Sequence, residues 1–453
     1  MLKKYPFIQG TLILTFAGVL TRIIGFFYRI FLARFIGEEG LGIYQLMSPV
    51  MSISFALTCS GIQTSISKYV ASYHAKNDSK GCFQTFVTGF LMSLFLSICV
   101  AYILFQNNLW IAKNLLFEER CHALIRLFAL SLPFSCLHSC INGYYYGMKK
   151  TILPSSTQLL EQIARVGSVY VIYLIATANN RSVSFAVAMI GNIIGEIVSS
   201  LVSLIAIYVH FGKIRLSSPL HGLHLKKHGI EITKMAFPLM ANRLVLNGLQ
   251  SLEAIYIPTK LMAYGMSNKE ALSSYGVLTG MTLPLLLFPT ALTSSVSLLL
   301  LPYISEAQTQ NRPDKIKSAI KKCVTYCVLL GSVCCIFLLA TGNFLGSFLF
   351  HSELASVYIR MFCITCPTLY VSNVLTSILH GLGKTFTSFV CQCISLIIRL
   401  LFVFFLIPVF GMSAYILGVF VSQIIFTFCM LWALYHFRYR FKSPQQVSRE
   451  NLS

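Results

Sequence analysis

The chain of 453 residues is 56% hydrophobic and only 11% charged, with a formal net charge of +21. Soluble domains carry about 25% charged residues, so this sequence has too little polar surface to coat a water-soluble globule. Its apolar residues stand in long continuous blocks, which excludes the short alternating strands of a membrane β-barrel and leaves a polytopic α-helical protein.

A run of about 20 apolar residues crosses the hydrocarbon core as a helix. Read from the N-terminus, polar and turn-forming breaks divide the chain into twelve such runs: 8–32, 42–68, 83–105, 122–146, 155–178, 183–210, 231–259, 275–303, 321–345, 355–381, 386–408 and 412–436. Lys3 and Lys4 precede the first run, which continues into a full span and so reads as a retained anchor, not a cleaved signal. The second and eighth runs are long enough to tilt, bend or unwind. The second contains the polar stretch Ser60-Gly61-Ile62-Gln63-Thr64-Ser65-Ile66-Ser67, which is expected to open its backbone toward a cavity. Prolines 49, 133, 284, 289 and 367 fall within runs and are expected to bend them.

With the N-terminus placed in the cytoplasm, cytoplasmic segments and span ends hold 22 Lys and Arg against six outside. That asymmetry is the positive-inside pattern and puts both termini in the cytoplasm. The basic charge is therefore topological, and nucleic acid is not an expected partner. The fifteen cysteines lie mostly in apolar blocks without pair-plus-pair metal spacing, so they read as packing residues.

Shifting the chain by 234 residues superimposes its halves. Ile125-Arg126 meets Ile359-Arg360, Pro133 meets Pro367, Gly147 meets Gly381, Lys150-Thr151 meets Lys384-Thr385, and Arg165 meets Arg399. Six helices per half make these parallel repeats about an axis along the membrane normal, with a substrate path between two rocking lobes. The expected organisation is a six-helix lobe over 1–212, a cytoplasmic linker over 213–230, a second six-helix lobe over 231–437 and a basic tail over 438–453. His224 and His228 in the linker have helical spacing but no third ligand beside them, so the segment reads as an interfacial helix on anionic headgroups and no metal site is expected. Gly383-Lys384-Thr385 echoes a phosphate loop, but Ile378 stands where the motif needs its first Gly. No cofactor is expected, and the energy source is an ion gradient (H⁺ or Na⁺) or the membrane potential.

An ionised side chain at mid-bilayer costs about 2.5–3.5 kcal/mol on insertion scales. Those found within spans are therefore candidate functional residues. Arg22 and Arg29 lie two turns apart on one face of the first helix, with Arg243 on the seventh span expected to face them and Lys68 closing the second span. Guanidinium forks bind phosphate oxygens bidentately, so this set suits a phosphate or diphosphate headgroup. Arg126 and Arg360 sit near span ends, where long side chains reach the interface. Glu161 and Arg165 are spaced for an intrahelical pair. Glu196 and Glu253 read equally as ion-coupling carboxylates or as partners of a nearby Arg.

The first eighty residues carry a specific pattern: Gly10-Thr11-Leu12-Ile13-Leu14-Thr15, Arg22-Ile23-Ile24-Gly25-Phe26, Tyr28-Arg29, Leu32-Ala33-Arg34-Phe35-Ile36-Gly37 and Gly40-Leu41-Gly42-Ile43-Tyr44-Gln45-Leu46. With Ser60-Gly61-Ile62 and Ile66-Ser67-Lys68, it resembles the stage V sporulation protein B branch of the polysaccharide-flippase superfamily, which also holds MurJ lipid II flippases and MATE drug exporters. The resemblance implies flipping of an undecaprenyl-diphosphate-linked glycan to the outer leaflet of a bacterial cytoplasmic membrane. It implies a monomer working beside cell-wall synthesis proteins, not an enzyme. By motif, Arg22 and Arg34 match first-helix arginines of the MurJ relatives. Those relatives carry another Arg where this chain has Tyr28, and Arg29 follows one step later, displaced by about 100° around the helix; Arg29 or Lys68 would replace that contact. The competing readings are a MATE-type cation-coupled drug antiporter, whose cavity would be rich in Asp and Glu, and a non-transporting membrane scaffold.

Overall fold

The computed structural model describes residues 6–180, 184–213, 225–310 and 312–438, and their regular structure is entirely helical. Residues 214–224 of the expected linker, with His221 and His224, lie outside the described residues, as does the basic tail after Arg438. The principal helices are α1 (Pro6–Gln45), α2 (Ser48–Phe55), α3 (Gly61–Ala75), α4 (Ser79–Gln106), α5 (Cys121–Gly147), α6 (Ile152–Ala178), α7 (Ala186–Lys213), α8 (Leu225–Tyr264) and α9 (Asn268–Gly276). They continue as α10 (Thr290–Thr309), α11 (Pro313–Phe350), α12 (Glu353–Phe362), α13 (Cys366–Gly381), α14 (Thr385–Leu401) and α15 (Met412–Arg438).

Among the described residues, nine helices are long and apolar enough to cross a membrane. They correspond to α1, α4, α5, α6, α7, α11, α12 with α13, α14 with its extension to Phe410, and α15. The other three expected runs are helical but fall outside this group for identifiable reasons. Run 42–68 is divided between the end of α1, α2 and α3, with a π-type turn at Ala56–Ser60. Run 275–303 is divided by a π-type turn at Val277–Thr282 and a break at Phe288–Pro289. Run 231–259 lies inside the 40-residue α8, where Asn242, Arg243, Asn247, Gln250 and Glu253 dilute the apolar residues. The polar stretch of the second run stays helical. Thr64 and Ser65 donate to the carbonyls of Ser60 and Gly61 one turn back, so the hydroxyls satisfy the existing helix without opening it.

Only Pro133 of the five prolines lies deep inside a helix. Pro49, Pro284 and Pro367 occupy first turns and Pro289 the N-cap, positions where the missing N–H costs nothing. Pro49, Pro284 and Pro289 stand where the second and eighth runs are divided. The repeat shows in helix ends: α5 stops at Gly147 and α13 at its image Gly381, and the next helices begin at Ile152 and Thr385. All fifteen cysteines are free thiols.

The chain divides into two compact units, Met1–Thr259 with Ser267–Gly280, and Lys260–Met266 with Met281–Ser453. In the first, Ile62, Ile66 and Val70 present one face of α3 to Phe86 of α4 and to Cys136, Cys140 and Tyr144 of α5. A Cβ at Gly143 or Gly147 of α5 would stand 2.7 Å from a carbonyl oxygen of α3, so only glycine permits this approach. α8 packs here as well: His228, expected on a membrane surface, is buried, bonded to Thr85 and Gln84 and paired with Glu231. In the second unit, α11 meets α13 where Gly331 faces Pro367, and Tyr370 donates to the Leu286 carbonyl at 2.9 Å.

Two features fasten the end of α1 to α9. At Gly37 the backbone leaves the helix with φ 72°, a conformation open to glycine, and redirects the last turns of α1. There Gly42 and Gly276 face each other; a Cβ on Gly276 would stand 2.2 Å from the Glu38 carbonyl oxygen. Beside this seam, Arg120 bonds Glu39 at 2.7 Å and Glu118 at 2.7 Å, and Asn268 donates to Glu118 at 3.0 Å. Burial alone would raise the Glu118 carboxyl, but the hydrogen bonds from Arg120 and Asn268 outweigh it and hold it below the usual range.

Gly276→Val is expected to destabilise the detergent-solubilised protein by about 1–3 kcal/mol through overpacking, whereas Gly248→Ala, where a Cβ meets nothing within 4 Å, leaves the thermal midpoint unchanged or raised; equal midpoints for the two variants contradict the seam. Because the Glu118 carboxyl is lowered on folding, its contribution is present above its unfolded-state pKa and disappears as pH falls through the folded value. Glu118→Gln should therefore cost about 1.5–3 kcal/mol at neutral pH, and its midpoint should converge with wild type on acidification.

Candidate functional site

The first unit contains a half-open cavity of about 500 Å³ bounded by α1, α2, α5, α6 and α7. Its charged lining residues are Arg29, Arg165 and Glu196, with Tyr28, Gln162 and Asn192 among the polar ones. Glu196 also lines an adjoining cavity of about 230 Å³ together with Gln63, His138, Asn142, Gln158 and Glu161.

Backbone packing brings the charges together. Gly191 and Gly195 face α6, and a Cβ at Gly195 would lie 2.8 Å from the Glu161 carbonyl oxygen. The two helices therefore run close enough for Glu161 and Arg165 to stand beside Glu196, the residue after Gly195. Arg165 Nη2 donates to Glu161 Oε1, forming the intrahelical pair. All three side chains are largely buried, with 15%, 17% and 16% of Glu161, Arg165 and Glu196 exposed. His138 of α5 completes the group, its Nδ1 at 4.0 Å from both Glu161 Oε2 and Glu196 Oε2. Glu196 Oε2 is buried and has no hydrogen-bond partner.

Of the residues singled out in the sequence, Arg29, Arg165 and Glu196 thus share one cavity and Glu161 adjoins it. Arg22, Arg34, Lys68 and Arg243 are exposed and lie outside the lining; Lys68 stands over the Tyr69 ring at 5.7 Å. Arg22 and Arg29 share a helical face, but only the latter reaches the cavity, whose wall begins at Gly25. Glu253 is buried in α8. Arg126 is exposed over Phe105, and Arg360 bonds Asn343 at 3.2 Å.

Sequence reasoning missed His138, although an ionisable ring in the middle of the fourth apolar run was the available signal. It also missed Gln162 and Asn192, whose polarity is ordinary until helix packing turns them inward.

Chemically, the wall of the larger cavity carries two guanidinium groups, one of them paired with Glu161, and one carboxylate, and guanidinium forks are suited to an anionic group. The adjoining His and Glu side chains form a cluster of three groups whose donor atoms lie within 4.8 Å of one another, a set with the chemistry to hold a proton or a metal ion.

Residues 7–308 match the family of polysaccharide biosynthesis proteins, and residues 251–405 match the MatE family. Stage V sporulation protein B of Bacillus subtilis (strain 168) is 27% identical over 434 residues, covering 94% of this chain and 83% of that protein. The fold is similar to that of the lipid II flippase MurJ in its inward closed conformation, with a TM-score of 0.69 at 15% identity over 93% of this chain and 87% of that one. It is likewise similar to an inward-facing multidrug resistance MATE transporter of the MOP superfamily, with a TM-score of 0.68 at 15% identity over 93% and 95% of the two chains. The family match spans most of the sequence and nine described helices are long and apolar enough to cross a membrane, so the chain is a multi-pass membrane protein that belongs to the polysaccharide biosynthesis protein family.

Proposed function

We propose that this protein is a flippase that moves an undecaprenyl-diphosphate-linked glycan, a lipid II-like precursor or a polysaccharide unit, across the cytoplasmic membrane by alternating access. The observation that supports this reading is the cavity wall itself, where Arg29 and Arg165 face a single carboxylate, Glu196. A diphosphate would engage both guanidinium forks, while Gln162 and Asn192 would offer neutral hydrogen bonds to the adjoining sugar. The exposed Arg22, Arg34, Lys68 and Arg243 are assigned to the path by which the headgroup arrives.

The reading includes twelve crossings in two parallel six-helix lobes, the nine apolar helices being joined by 42–68, 231–259 and 275–303. Both termini then lie in the cytoplasm, and the monomer works beside cell-wall synthesis proteins. No cofactor is needed, and an ion gradient or the membrane potential supplies the energy. The second reading, a cation-coupled drug antiporter, is favoured by the MatE match and by the MATE-like fold. A cationic drug would, however, meet two arginines in this cavity.

The test is transfer of a fluorescent polyprenyl-diphosphate saccharide between leaflets of proteoliposomes. Arg29→Ala should reduce the rate about 10-fold or more, the loss expected for one charge-assisted contact of about 1.5–3 kcal/mol. Arg126→Ala, outside the cavity, should leave it unchanged. Wild-type rates in Arg29→Ala, or efflux of a cationic dye with no transfer of the lipid, would reject the flippase.

A further inference from the structure

The hydrogen bonds around His138 define its tautomer. Thr157 Oγ1 lies 3.1 Å from His138 Nε2 and equally 3.1 Å from the Leu153 and Pro154 carbonyls, to either of which it can donate. Asn142 Nδ2 donates to the same nitrogen at 2.8 Å, so Nε2 is the accepting nitrogen of the ring and the ring hydrogen sits on Nδ1; the Asn142 Oδ1 is buried with no partner. On the other side, Ser199 Oγ donates to the Glu196 carbonyl at 3.1 Å and stands 3.3 Å from His138 Nδ1. Nδ1, the nitrogen that carries the ring hydrogen, donates it to Ser199 Oγ. Beyond Ser199, Nδ1 faces only carboxylate oxygens, Glu161 Oε2 and Glu196 Oε2, each at 4.0 Å. A bare lone pair at Nδ1 would confront three oxygen atoms.

Arg165 neutralises Glu161, and Glu196 is left with a buried oxygen that has no hydrogen-bond partner. One further positive charge balances the group, whereas a divalent metal would leave it with an excess in a medium of low dielectric. The other titratable groups facing the cluster are Tyr28, Arg29 and Tyr44 from α1, Cys59 from the turn after α2, and Tyr146 on α5.

We infer that His138, Glu161 and Glu196 form a binding site for one proton, shared between the imidazole and the Glu196 carboxyl, and that this proton controls the anion affinity of the Arg29/Arg165 cavity. Glu196 belongs to both cavities and is the physical link. With the proton bound, Glu196 is satisfied on the His138 side and both guanidinium groups face the anion. When the proton leaves, Glu196 is an unbalanced carboxylate in the same wall and competes for Arg165. Proton and anion therefore bind cooperatively, the opposite sign from a cavity in which protons compete with a cation. The anion half of this inference rests on the proposed function; the proton half does not.

Two measurements on the full-length protein in lipid nanodiscs separate these halves. Infrared difference spectra titrated between about pH 5 and about pH 8, the window of imidazole, should show coupled imidazole and carboxyl bands that vanish in both His138→Gln and Glu196→Gln. Binding of inorganic pyrophosphate should tighten about tenfold or more on acidification across that window. Pyrophosphate titrates there as well, so the comparison is between proteins: Glu196→Gln should bind at the upper pH nearly as tightly as wild type does at the lower, with only the ligand's own slope remaining. Infrared bands unaltered by either substitution, or a wild-type slope in Glu196→Gln, overturn the proton site. Zinc retained stoichiometrically by the wild type after chelation but not by Glu196→Gln would overturn it too, as a metal site. Pyrophosphate binding absent at every pH, with the bands present, rejects the anion reading alone and leaves the proton site standing.

Discussion

A charge inside a bilayer is tolerated only where an opposite charge, a hydrogen-bond network or water stands beside it, because the hydrocarbon offers none of these. The interior of the first unit follows from that constraint. Glu161 and Arg165 neutralise each other within one helix, and Glu196 and His138 stand against them from two more. The neutral residues around the cluster are polar as well, from Ser199 to Thr157 and Asn142. What survives in the larger cavity is the charge the local pairs do not cancel, and Arg29 contributes to it.

Such a cluster forms only if the helices come close, and the approach is set by glycine. Gly191 and Gly195 bring α7 against α6, Gly143 and Gly147 bring α5 against α3, and Gly42 with Gly276 lets α9 reach the end of α1. Lipid tails are as apolar as leucine, so contact between membrane helices gains little from burial and depends on close van der Waals packing, which small residues allow. Serine and threonine hydroxyls play a complementary part: by bonding carbonyls one turn back they remain inside without partners from elsewhere. The same economy explains why the polar stretch after Ser60 stays coiled.

The 234-residue register matches helix ends but not the carboxylates and imidazole of the cavities. Arg165 and Arg399 occupy matching places, and so do the helix ends at Gly147 and Gly381. Adding 234 to Glu161 and Glu196, however, gives Ser395 and Met430, and from His138 it gives Ser372. The ionisable cluster is thus confined to the first half of a duplicated sequence.

Hydropathy alone determined that this chain is helical and multi-pass, because the bilayer tests each segment on length and apolarity before any tertiary contact exists. The Glu161–Arg165 pair was equally legible, being a matter of spacing along one chain. The cavity was not. Arg22 and Arg29 share a face by helical period, yet only one lines the cavity, since its position depends on where α6 and α7 stand. His138 and Glu196 are 58 residues apart and meet through helix packing that no local pattern encodes. Arg243, equivalent to the others by residue type, is exposed on a helix whose polar positions follow tertiary packing. Sequence set the number and kind of charges in the membrane; the close approach of α5, α6 and α7 decided which of them act together.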